Sequence, residues 1–141
     1  MRISALSVTA AAMAATIAGG AVPAAADTLV SKVNLEAGAG LHRNSATVTY
    51  ERVDGAVNSV KIISLQAFSG EPDCVWVEWN DPKDVGDGWT ALNSEPPCHG
   101  GSLGETINQI IEAPKGYQLK IRLVAYHDGG IEVIHKDIAK L

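Results

Sequence analysis

Little in this sequence announces chemistry. Its 141 residues include two cysteines, two methionines, one phenylalanine and four histidines, and aromatic residues make up 5% of the chain. Cys74 and Cys98 have no His or Cys close by in sequence, so they cannot complete a four-ligand zinc site alone. No phosphate-binding glycine loop and no His-x-x-x-His pair occurs, which removes the commonest nucleotide and metallohydrolase signatures. His42, His99, His127 and His135 are widely spaced. His127 and His135 flank one turn and could approach each other, but they read as surface or edge-strand residues, and neither metal nor cofactor is expected. No pair of acids stands out as a glycosidase couple. Nucleophilic catalysis needs a base beside Ser or Cys, and no such arrangement is recognised; the chain reads as non-enzymatic. Basic residues are few as well, with 11 Lys and Arg against 16 Asp and Glu. Nucleic acid and anionic membrane, both bound through basic patches, are therefore not expected partners.

What is present divides unevenly. Residues 1–26 hold 11 Ala, both Met and a single charge, Arg2. Met1-Arg2, the apolar stretch Ile3 to Val22 and the small residues Ala24 and Ala26 form a secretory leader, with cleavage expected before Asp27. The remaining residues, 27–141, carry 10 basic and 16 acidic side chains, a formal net charge of −6, and are read as one domain. Export places Cys74 and Cys98 in an oxidising compartment and predicts a disulfide. No membrane association is expected after cleavage.

The recurring period is two, the mark of half-buried strands. Tyr117, Leu119, Ile121, Leu123 and Ala125 share one face, and Asp128-Gly129-Gly130 precedes a returning run from Ile131 to Ile138. A two-residue turn there would set Arg122 opposite Asp137, and a three-residue loop would set it beside Lys136. Thr28 to Glu36, Ala46 to Val53, Val57 to Phe68 and Cys74 to Trp79 are further strands, with a change of parity near Ile62-Ile63 that predicts a bulge. Leu103 to Ala113 suits a strand, although Leu103, Ile107, Ile110 and Ile111 also fit a helical stripe. Pro114-Lys115-Gly116-Tyr117-Gln118-Leu119-Lys120-Ile121 resembles the corner entering strand F of fibronectin type III and related immunoglobulin-like sandwiches. There a tyrosine turns its hydroxyl back onto the preceding loop. The resemblance implies sandwich topology and a structural Tyr117. It departs from the immunoglobulin pattern in lacking a Cys near that strand. The expected fold is thus all-β, an immunoglobulin/fibronectin-III-like antiparallel sandwich of about seven strands with one disulfide.

Asn80 to Ser102 has no periodicity, and Asn80–Gly101 is read as one long tethered loop, the candidate recognition segment. Asp81, Asp84 and Asp87 recur every three positions around Gly86 and Gly88, which fits an acidic turn better than a calcium loop. Trp79 shares the face of Val75 and Val77 and belongs in the core. Trp89, Trp76 and Tyr126 are the candidate contact aromatics, with Asp84 and Asp87 beside Trp89. These features suggest a secreted binding module for an unidentified extracellular protein or polysaccharide. One alternative is a carbohydrate- or cell-wall-binding module. The other is an inhibitor of an extracellular hydrolase that presents Leu92 to Cys98 as a rigid loop.

Overall fold

A computed structural model describes residues 29–53, 59–127, 130 and 132–141. Residues 1–28, which include the expected leader, residues 54–58 and the hairpin positions Asp128, Gly129 and Ile131 lie outside the described residues. Extended segments with one apolar face must bury that face against a second layer. The described residues do so with eight strands: β1 (Val30–Ala37), β2 (Asn44–Arg52), β3 (Ser59–Phe68), β4 (Asp73–Asn80), β5 (Trp89–Ala91), β6 (Ser102–Glu112), β7 (Lys120–His127) and β8 (His135–Lys140). They form two antiparallel four-stranded sheets, ordered β1-β2-β3-β6 and β5-β4-β7-β8. Leu35, Val48, Ile62, Leu65 and Ile111 from the first sheet meet Val75, Val77, Ile121 and Leu123 from the second in a fully buried core. Each such side chain contributes roughly 1.5–3 kcal/mol by leaving water. Among the described residues no helix is long and apolar enough to cross a membrane.

The expected parity change in β3 is a bulge. Pairing with β2 slips between Thr49 and Tyr50, and pairing with β6 slips between Ile62 and Ser64. One extra residue lets Val60 and Ile62 point inward on one side of it, and Leu65 and Ala67 on the other. On β6 the adjustment is made at Asn108, whose φ of 48° is left-handed, a conformation that Asn tolerates better than most residues. The 103–113 segment is therefore strand, and its helical stripe is incidental.

Two expectations need correction. The segment from Asn80 to Ser102 is not one continuous loop: it contains β5, which pairs with the end of β4. Beyond β5, buried Asn93 stands in for a strand partner. Its side-chain oxygen accepts the Val77 N–H at 2.9 Å, and its Nδ2 donates to the Val75 carbonyl at 3.4 Å and to the Glu95 carbonyl at 2.7 Å. The disulfide between Cys74 and Cys98 then closes the segment alongside β4. The second correction concerns the β7–β8 hairpin. The register matches neither expected alternative: β7 ends at His127, β8 begins at His135, and Arg122 lies opposite Ile138 and Leu123 opposite Asp137. This register turns His135 and Asp137 toward the inner side of an edge strand, where the Asp137 carboxylate accepts the Glu36 N–H of β1 at 3.0 Å and links the two sheets. Arg122 finds its carboxylate on β4 instead.

Candidate functional site

In an antiparallel pair, residues directly opposite share a face. Trp76 lies opposite Val124, Cys74 opposite Tyr126, Glu78 opposite Arg122 and Asn80 opposite Trp89. Because Val75, Val77 and Trp79 point into the core, all these residues stand on the outer face of the second sheet. The register thus brings together Trp76, Trp89 and Tyr126, three aromatics from three strands, each half-buried. Arg122 stands on the same face, beside Trp89. Its guanidinium contacts Glu78 at 2.7 Å and Asp87 at 3.2 Å, and its Cζ sits 4.2 Å from the centroid of the Trp89 ring. Trp89 is therefore neither a bare loop tip nor a lid over the end of the sandwich. It is a sheet residue stacked under a pinned cation. A shallow groove bounded by Arg122, Val124, Val133 and Lys136 continues this face toward β8.

The acidic turn is built from three successive side-chain-to-backbone bonds. Asp81, Asp84 and Asp87 accept the N–H groups of Lys83, Gly86 and Trp89 at 2.9, 2.7 and 3.1 Å. The period of three is the period of these turns. Asp87 also reaches Arg122, whereas among the described residues Asp84 serves only its own turn. Tyr117 precedes β7; its N–H bonds the Pro114 carbonyl at 2.9 Å and its hydroxyl donates to the Asn80 carbonyl at 3.2 Å, on β4. In the Leu92–Cys98 stretch, Leu92, Asn93 and Pro97 are buried, and Ser94 is hydrogen-bonded to Glu105 of β6 through both its N–H and its hydroxyl.

Tyr126 has its phenol pushed up to about 12, first by burial and then by the Glu78 carboxylate. The hydroxyl remains a protonated donor across the whole neutral range. The folded value exceeds the ordinary one, so any stability it contributes is intact below about pH 10 and is lost as pH rises toward 12. Alkaline titration followed by phenolate absorbance should show a step near pH 12, and Tyr126→Phe should remove it.

A second cluster lies at the other end of β4. His42 comes from a single 3-10 turn (Gly40–His42), Asp73 opens β4, His127 closes β7 and His135 opens β8. The Asp73 side chain is fully buried. One oxygen accepts the Asn44 amide at 2.9 Å, and the other lies 2.9 Å from His42 Nδ1 and 3.7 Å from His127 Nδ1. The His42 ring centroid is 5.3 Å from that of His135 and 5.7 Å from that of His127. Gly38, at φ 84°, makes this approach possible: a Cβ there would fall 2.0 Å from the His42 carbonyl oxygen and 3.0 Å from the His135 ring. Three of the four histidines thus meet around one carboxylate. Spacing along the chain gave no hint of this, beyond the chance that His127 and His135 might be near each other across their hairpin.

One motif escaped the sequence reading. Gly100-Gly101-Ser102-Leu103-Gly104 has the Gly-x-Ser-x-Gly spacing of a nucleophile elbow. An elbow needs a strand leading into a helix, whereas Ser102 opens strand β6. Its hydroxyl has no hydrogen-bond partner among the described residues, so no base is placed beside it. Comparison with known proteins adds no assignment: no family model, curated protein or solved structure matches this chain.

Proposed function

We propose that this chain is a secreted, non-enzymatic binding module whose ligand surface is the outer face of the β5-β4-β7-β8 sheet, with extracellular polysaccharide as the ligand. The observation that carries the reading is the convergence of Trp76, Trp89 and Tyr126 on one face around the Glu78–Arg122–Asp87 ion pairs. Aromatic rings offer flat apolar surface to the C–H faces of sugars, and fixed charged groups accept and donate to hydroxyls. From Cys74 to Asn80 the platform runs about 20 Å along β4, room for an extended chain of several sugars. The leader-like first 26 residues and the disulfide support an exported location.

The finer fold reading is also ours. The order β5-β4-β7-β8 corresponds to C′-C-F-G of immunoglobulin-like sandwiches, and β2-β3-β6 to A-B-E, with β1 added outside. Tyr117 then precedes the strand equivalent to F. Two features differ from that pattern. The disulfide joins β4 to its own following segment instead of bridging the sheets, and the Tyr117 hydroxyl bonds β4.

The test is retention of tag-free residues 27–141 on insoluble polysaccharides such as cellulose, chitin and peptidoglycan. Trp76→Ala and Trp89→Ala should each weaken retention about 30-fold, the effect of removing an interface anchor of about 2 kcal/mol. If Trp89 only fastens β5 to the sheet, its variant will melt early and still bind. Failure to bind any of the polysaccharides would reject the ligand class.

A further inference from the structure

We infer that His42, Asp73 and His135, with His127 at their side, form a binding site for a divalent transition metal of the zinc or copper class. One ligand atom from each of His42, Asp73 and His135 lies within 4.8 Å of the other two. Tetrahedral zinc with bonds of about 2.0–2.2 Å needs its ligands roughly 3.3–3.6 Å apart, so the set closes with side-chain shifts on the order of 1 Å. His135 can supply such a shift. It is half-exposed at the start of an edge strand, and neither ring nitrogen is hydrogen-bonded among the described residues. His127 lies 3.7 Å from the same Asp73 oxygen that His42 contacts, which makes it the candidate for a fourth position.

Two independent features favour a cation here over a purely structural cluster. A fully buried carboxylate is costly unless it is paired or coordinates a metal. Among the described residues the only ion-pair partners of Asp73 are His42 and His127, which are cationic only when protonated. The site is also open: the His42 side chain is 39% exposed and that of His127 59%, so an ion has a path in from solvent. The donor set fixes the class. Imidazole nitrogens beside one carboxylate suit zinc and copper, whereas calcium and magnesium require oxygen ligands throughout.

The experiment is calorimetric titration of chelator-treated, tag-free residues 27–141 with Zn2+, Cu2+ and Ca2+ separately. One equivalent of Zn2+ or Cu2+ should bind with a dissociation constant of micromolar order or tighter, and Ca2+ should not bind. At a hundredfold excess over that constant the melting temperature should rise by about 10 °C. Asp73 and His42 also hold the local fold, so the deciding variant is His135→Gln. It should melt within a few degrees of the parent without metal, bind at least tenfold more weakly and lose most of the metal-induced rise. In the parent protein, zinc should move the imidazole resonances of His42 and His135 and leave those of His99 in place. Absence of saturable binding by either metal up to millimolar concentration would overturn the assignment. So would a His135→Gln protein that binds as the parent does.

Discussion

Asp73→Ala is expected to destabilise the protein by about 3 kcal/mol, lowering the melting temperature by more than 10 °C. The side chain is at 0% exposure and accepts from the Asn44 amide at 2.9 Å while facing His42 Nδ1 at the same distance. Truncation takes the acceptor from the buried Asn44 amide as well as from the part-exposed His42 ring, and a buried polar group left short of a partner costs on the order of 1–3 kcal/mol. The cost will not stay local. Asn44 also donates to the carbonyls of Ala37 and His42 and accepts the Gly70 N–H, so its amide ties β1, the 3-10 turn and the β3–β4 connection into one knot. Asn44→Ala should therefore be destabilising too. The double variant should fall short of the sum of the two, because both substitutions break the same network. Urea unfolding of the four proteins measures the cycle. A loss below about 1 kcal/mol for Asp73→Ala, or strict additivity, would show that the knot does not hold this end of the sandwich.

The sheet architecture was legible because it depends on period and parity, which are written residue by residue. Val75, Val77 and Trp79 alternate inward as their spacing predicts, and the flip at Ile62-Ile63 marks a real bulge. Part of the aromatic face was legible for the same reason. Trp76 and Tyr126 sit on the outward positions of β4 and β7, and two adjacent outward positions share one surface once the strands pair. The position of β5 was hidden. Three residues cannot display a period, and the strand is held by a cation over Trp89 and by Asn93 acting in place of backbone. The histidine cluster was hidden more deeply. Its members come from four elements between residues 42 and 135, and only the antiparallel pairing of β4, β7 and β8 carries their ends to one place. The β8 register decided it. Either short turn expected between His127 and Ile131 would have set His135 against a different β7 neighbour from Ala125, the partner it has.

Reduction of Cys74–Cys98 should cost roughly 3.5 kcal/mol on the chain-entropy account, a fall in melting temperature of about 15 °C. The cysteines are 24 residues apart, and cross-linking them removes the many open conformations of that segment from the unfolded chain. The folded state contributes a second part. The segment carries β5, buried Leu92, the Asn93 bonds to β4 and the Pro97 carbonyl that accepts the Val75 N–H at 3.1 Å. Those contacts should keep it docked in the reduced protein at low temperature, so reduction acts first on stability and only later on shape. Hydrogen exchange separates the two. In the reduced protein, amides of residues 89–101 should exchange faster while Leu123 and Ala125 at the centre of β7 keep their protection. The same experiment bears on the proposed ligand face, because Trp89 and Asp87 reach Arg122 from this segment. If reduction leaves the melting temperature within about 4 °C of the oxidised protein, Asn93 and Leu92 alone hold the segment, and the disulfide protects a chain that is already closed.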